Sequence, residues 1–370
     1  MEKALQNRHW ALGLPPWATL PQSGGPPPAI LAVGGGKGGV GKSVISANLA
    51  AVLGGLGYRV LVVDMDLGCA NLHTHLGGQL PDRTLADYIL RRRYRFDQII
   101  LPSPVRGVGF IAAGREEEWG QHSGHPEILA PLWHSIQRGR EKLRIDFVIL
   151  DLGAGTQRYT IDLFTCAHLG ITAVLPEPTS VENAYVFYRT TLLHMILNVA
   201  VNTGQRAAGE ELIDALVHAG DSGGASPGYP ARLRALSHRF PSLIHSVAMA
   251  LSQRQLGVLV NQSRSDQEAG LGSAIEKIGR SFFGFRVYSL GFLNYDEAVW
   301  KSLKNRRLLY KDFPHSLVIQ RLTIGAKRVL NLIDAQGGMT GGPDQRSQPD
   351  IRTDRRGSSG TLSRGTSRLL

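Results

Sequence analysis

The sequence predicts an α/β fold: a doubly wound, mainly parallel sheet flanked by helices. Three observations carry that prediction. Short, nearly continuous apolar runs recur along the chain, as expected of strands buried on both faces. Stretches of helical periodicity separate them, and such β–α alternation implies a parallel sheet. A glycine-rich turn joins the first run to the first helical stretch, at the end of the sheet where folds of this class bind ligands.

Strands are expected at Ile30–Gly34, Arg59–Asp64, Gly109–Ala112, Asp146–Asp151, Ile171–Leu175, Leu256–Asn261 and Phe285–Leu290. Between the first two, Ile45, Leu49, Val52 and Leu56 share one helical face. Thr179-Ser-Val-Glu182 reads as a capping box that opens a helix after the fifth strand. Residues from about 202 to 250 interrupt the alternation. Their centre is Gly-, Ser- and Pro-rich, with Leu233, Leu236 and Phe240 at helical spacing, so they form an insertion within one domain. That domain spans residues 29–335. Before it, residues 1–28 form a Pro/Gly-rich leader expected to be mostly disordered. After it, residues 336–370 carry six arginines and three aspartates. They hold too few apolar groups to offset ordering entropy, so a flexible basic tail is expected.

Composition narrows the function classes. Hydrophobic residues make up 42% of the chain, enough for a sizeable core. The formal charge of +11 favours polyanionic partners. Cys69 and Cys166 form no CxxC motif and no pattern with nearby histidines, so no disulfide framework or metal cluster is expected. A cytoplasmic location fits that cysteine usage. The sequence has no run of 18 or more apolar residues, which argues against a membrane-spanning helix.

The strongest motif is Gly36-Lys37-Gly38-Gly39-Val40-Gly41-Lys42-Ser43, which fits G-x-x-x-x-G-K-[ST]. A strand precedes it and an amphipathic helix follows, as its mechanism requires. The glycines let backbone N–H groups wrap phosphates, and the helix N-terminus adds positive dipole. Lys42 is placed to contact the β- and γ-phosphates of ATP, and Ser43 to ligate Mg²⁺. A simple phosphate loop does not need the second lysine, Lys37.

With that lysine the motif resembles the deviant Walker A sequence of the MinD/ParA family of P-loop ATPases. The resemblance runs from about Ala29 to Asp334. It implies an ATPase that forms a homodimer on binding ATP, with Lys37 reaching across the interface to the other subunit's nucleotide. Asp64 and Asp66, at the end of the second strand, match the family's D-x-D motif. The resemblance implies that Asp66 positions the hydrolytic water and that Asp64 supports the metal shell and its loop. Asp151 ends an apolar run and is followed by Gly153. The resemblance makes them the Walker B aspartate, holding Mg²⁺ through water, and a backbone N–H donor to the γ-phosphate. Asn261 matches the family's adenine-reading asparagine. Leu290 to Asp296 is similar to its base-side loop, with Asn294 where proline is usual.

Asp64 to His73, read as D-x-D-L-G-x-A-N-L-H, is most similar to the flagellar-number regulators FlhG, FleN and YlxH. A dimerisation switch that positions or counts a cellular structure, flagella or a division site, is the function so implied. Turnover is expected to be slow until a protein partner or activator engages. The alternative is a ParA-like DNA-binding partition ATPase, which the basic charge favours and the Leu67-Gly68 pair disfavours. The last helical pattern sets Leu317, Val318, Leu322, Val329, Leu330 and Ile333 on one face. That face suits either the core or a peripheral contact with the inner side of the cell membrane. Arg91 to Arg95 is the densest basic cluster before the tail and suits a solvated helix end or a partner contact.

Overall fold

The computed structural model describes residues 13–18, 26–120, 125–218, 227–265, 268 and 270–336. One eight-stranded sheet organises them, in the order β3-β4-β2-β5-β1-β6-β7-β8. The strands are β1 (Ala29–Gly34), β2 (Val60–Met65), β3 (Leu101–Pro102), β4 (Val108–Ile111), β5 (Phe147–Leu152), β6 (Leu169–Val174), β7 (Gln255–Ser263) and β8 (Arg286–Asn294). All neighbours pair in parallel except β3, which runs antiparallel to β4. This two-residue edge strand is the one strand the apolar runs do not reveal.

Alternation along the strands splits the core into two layers. Leu31, Val33, Val62 and Ile149 face helix α1 (Lys42–Gly55) and the C-terminal helix α10 (Leu317–Asp334). Ile30, Ala32, Val63, Val148 and Leu150 face the other way. They meet α2 (Ala130–Gln137), α3 (Arg158–Cys166) and α4 (Pro178–Asn202). In α1, Ile45, Leu49 and Val52 are buried as expected, whereas Leu56 caps the helix and is 36% exposed.

The insertion folds as three helices: α5 (Arg206–His218), α6 (Tyr229–Ala235) and α7 (Pro241–Gln253). Gly209 of α5 sits so close to α4 that a Cβ there would lie 2.3 Å from the Ala200 Cβ. The remaining labelled helices are α8 (Leu271–Ile278) and α9 (Glu297–Lys304).

The structure corrects several expectations. Residues 13–18 of the leader are docked: Leu14 and Ala18 are buried, and the Trp17 ring meets Trp133 edge-on at 6.4 Å. Their carbonyls find donors, since the Asn202 amide donates to Leu14 O at 2.8 Å. The start of α4 is not a capping box. Pro178 opens the helix after Glu177, and Ser180 instead accepts the Leu175 N–H at 2.9 Å. α4 is also long and apolar enough to cross a membrane by length and composition; 56% of that window is buried, so its apolar content serves the core. The inner face of α10 likewise belongs to the core, with Val318, Leu322, Val329 and Ile333 buried. Leu317, by contrast, is 54% exposed. Residues 337–370 of the expected tail lie outside the described residues.

Candidate functional site

The carboxyl ends of β1, β2, β5 and β7 converge on a cleft of about 920 Å³. Gly38, Gly41, Lys42, Ser43, Asp66 and Asn261 all line it. The phosphate loop bends because Gly39 and Gly41 take φ of 74° and 90°, a region costly for residues with a Cβ. Gly36 is needed for another reason. A Cβ there would stand 2.3 Å from the Asn183 carbonyl, so this glycine lets the loop lie against α4.

Lys42 is only 7% exposed, and its Nζ donates to the Lys37 carbonyl at 3.4 Å. Burial lowers its pKa, while Asp151 and Asp66 pull it back up. Phosphate oxygens would supply the missing anionic partners. Lys37 is arranged differently. Its Nζ turns away from its own loop to an ion pair with Glu177 at 2.8 Å and a hydrogen bond with Thr179 at 3.1 Å.

Asp64 and Asp151 face each other across β2 and β5. Asp64 accepts the N–H groups of Asp66 at 3.1 Å and Leu72 at 3.2 Å, so it shapes the turn that carries Asp66. Burial first, and Asp151 second, hold its carboxyl well above the usual range. Asp66 accepts the Cys69 N–H at 3.1 Å. Gly153 lies beside it: a Cβ at Gly153 would stand 3.1 Å from Asp66 Oδ1. Asp66 and the residue that follows β5 are thus close neighbours.

Asp151 provides the test of a metal. Its Oδ1 accepts the Ser46 hydroxyl at 2.8 Å. Its Oδ2 is buried and has no partner. Burial raises its pKa to about 6. A buried, unsatisfied carboxylate oxygen beside a serine hydroxyl is a hard-oxygen environment suited to hydrated Mg²⁺. Among the described residues no group of three His, Cys, Asp or Glu could hold a metal alone. An ion here would rely on Ser43, Asp151, waters and phosphate oxygens. Ser46 is a site residue that sequence reasoning missed. Its signal was present, since it follows Ser43 by three positions and shares its helical face.

Asn261 lies on the base side, yet its amide is occupied. It donates to Val40 O at 2.8 Å and accepts the Gln262 N–H at 2.9 Å. In this state it braces the phosphate loop rather than facing a base. The outer end of the cleft is lined by Asn294, Tyr295, Val299 and Trp300. Asp296 caps α9 by accepting the Ala298 N–H at 2.8 Å.

Other singled-out groups stand apart from this chemistry. Arg91 bonds Asp87 and Glu118, and Arg95 bonds Asp97, so much of the basic cluster is internally paired. His73 and His75 are kept neutral chiefly by burial, which lowers the pKa of His75 to about 4.

Known proteins are similar to this chain in sequence and fold. The antiactivator FleN of Pseudomonas aeruginosa is 27% identical over 313 residues, covering 84% of this chain and 87% of that protein. The flagellum site-determining protein YlxH of Helicobacter pylori is 30% identical over 156 residues, 42% of this chain and 51% of its own. The septum site-determining protein MinD of Pyrococcus horikoshii, solved with Mg-ADP, shares the fold. Its TM-score is 0.54 at 19% identity, covering 83% of this chain and 98% of that one. The family model described as the CobQ/CobB/MinD/ParA nucleotide binding domain matches residues 31–309. The phosphate loop, both aspartate strands and the base-side strands all fall within that match, and the chain belongs to the CobQ/CobB/MinD/ParA family of nucleotide-binding domains.

Proposed function

We propose that this protein is a Mg·ATP-hydrolysing dimerisation switch that sets the position or number of a cellular structure. The observation that carries the reading is the division of labour between two lysines on one loop. Lys42 is buried in its own phosphate cradle, whereas Lys37 extends outward to Glu177 and Thr179. An outward lysine is available to a second subunit's nucleotide, and transfer of Lys37 would couple ATP binding to dimer formation.

Each residue then has a task. The N–H groups of residues 38–43 bind phosphate oxygens. Ser43, and Asp151 through water, would hold Mg²⁺, which would supply charge neutralisation to the phosphates. Asp66 orients the attacking water. The N–H of Gly153 makes the contact that distinguishes ATP from ADP. Loss of that contact on hydrolysis returns the dimer to monomers.

FleN is named as an antiactivator and YlxH as a flagellum site-determining protein. We take flagellar number or placement as the process, exerted through a protein partner. The platform is the inner face of the membrane, reached peripherally. A DNA platform is the competing reading, which the +11 charge favours.

The test is solution mass with Mg·ATP, Mg·ADP or no nucleotide, for wild type, Asp66→Ala and Lys37→Ala. The expected result is an ATP-trapped dimer of Asp66→Ala and a Lys37→Ala protein that stays monomeric. One mass in every state for all three proteins would end the switch reading. Co-sedimentation of the trapped dimer with anionic liposomes or with DNA then separates the two platforms.

A further inference from the structure

We propose that a second cavity, lined by residues from 88–97 and 131–143, is a binding site for a phosphorylated small molecule. The cavity measures about 890 Å³, and among the described residues none lines both it and the nucleotide cleft. Arg92, Arg95, Arg138 and Lys142 bring cationic side chains to its wall, against the carboxylate of Asp97. That carboxylate is already engaged, since Arg95 donates to both of its oxygens at 3.0 and 2.8 Å. Among the described residues the side chains of Arg92, Arg138 and Lys142 make no hydrogen bond or ion pair. The basic cluster around Arg91 to Arg95 thus has a part that the fold does not use.

The backbone sets one of these cations in place against its own preference. Arg92 follows the short helix Leu85–Ile89 with φ of 51°. Glycine takes that left-handed conformation freely, whereas a residue with a Cβ takes it under strain. An arginine there gains no partner in the fold and adds a charge to the cavity. Arg138 opens the short helix Gly139–Leu143, which carries Lys142. The Lys142 N–H bonds the Arg138 carbonyl at 3.0 Å, and like charges at this helical spacing repel. A bound anion would relieve that repulsion. Guanidinium forks and a lysine head match the oxygens of a phosphate group. These cations line a hollow, which suits a small molecule better than a nucleic acid or a membrane, and its volume falls in the range of ligand pockets. Tyr88 and Tyr94 are half-buried in the same wall and offer rings to an apolar or planar portion of the ligand.

The experiment is equilibrium dialysis of the full chain against pyrophosphate. Wild type is expected to hold one equivalent at the phosphate loop and a second in this cavity. Lys42→Ala is expected to lose the first and keep the second. The double variant Arg92→Gly, Arg138→Ala is expected to lose the second, each lost arginine weakening it by roughly tenfold. Both arginines are exposed, and Arg138→Ala alone repeats the test if the double variant does not fold. Arg92→Gly by itself removes the left-handed strain. It is expected to unfold at a higher urea concentration than wild type while binding the second equivalent less tightly, an opposition that a purely structural arginine would not produce. A wild type that holds no more pyrophosphate than the double variant overturns the site. So does an Arg92→Gly protein that unfolds at lower urea and binds pyrophosphate as before. A hexaglutamate peptide that displaces the second equivalent at a lower concentration than pyrophosphate itself overturns the phosphate ligand in favour of an acidic protein segment.

Discussion

Lys37, in the proposed switch, needs little energy to be held in reserve. Its pair with Glu177 is short, but both side chains are substantially exposed, at 33% and 53%. Exposed pairs contribute about 0–1 kcal/mol. Release of Lys37 from Glu177 therefore costs no more than that. Glu177→Gln should strengthen the ATP-trapped dimer of Asp66→Ala by at most about fivefold and leave the melting temperature nearly unchanged. Sedimentation of the double variant reads the effect. Loss of the dimer would instead show that Glu177 is itself part of the assembled interface. The sequence disclosed that Lys37 was special, because a simple phosphate loop has no use for it. It could not disclose Glu177, which lies 140 residues away. The same limit hid the role of Asn261. Its type and strand position were legible, but its bond to Val40 depends on a loop 221 residues distant.

At the scale of elements, the strands that bury both faces were the legible part. Seven apolar runs lie within a few residues of the observed strands, because a strand covered on both sides has no polar positions to blur it. The docked leader was illegible for the opposite reason. Its Pro- and Gly-rich composition reads as disorder, and its order comes from distant groups on α3 and α4. One of them carries a pH dependence. Asp162 of α3 accepts the Trp17 indole N–H at 3.2 Å while almost fully buried. Burial raises its pKa to about 6 from the ordinary 3.8, against the opposing pull of Trp17 and Arg158. Between those two values the folded chain keeps a proton that the unfolded chain has lost. Stability therefore falls as pH rises through that window. Asp162→Asn keeps an acceptor for Trp17 and escapes the fall. Its stability relative to wild type should grow by roughly 1 kcal/mol between pH 5 and pH 8, measured by urea unfolding. An advantage that stays flat across that range would show that Asp162 is already ionised in the folded state at pH 5.

On the scale of the whole molecule, the cleft spans the centre of the sheet and its β8 edge. Its inner wall comes from loops after the central strands, including Gly38–Ser43 and Asp66–Cys69. Its outer wall comes from the β7–β8 side of the sheet, through Asn261 near the end of β7 and through residues from Asn294, which ends β8, to Leu303. A nucleotide filling about 920 Å³ would touch both walls. Anything bound only to the folded state opposes opening of every segment it contacts, by about 2.7 kcal/mol at a hundredfold excess over Kd. Hydrogen exchange should then slow on adding Mg·ATP in residues 38–45 and 66–72, and equally in residues 255–304. Local openings there should become up to about a hundredfold rarer. Helices α5, α6 and α7 line no part of the cleft and should exchange as before. Protection limited to the central loops would mean that the edge strands do not grip the base. Protection that reaches α5 to α7 would instead identify the inserted helices as part of the moving unit, coupled through the tight contact of Gly209 with α4.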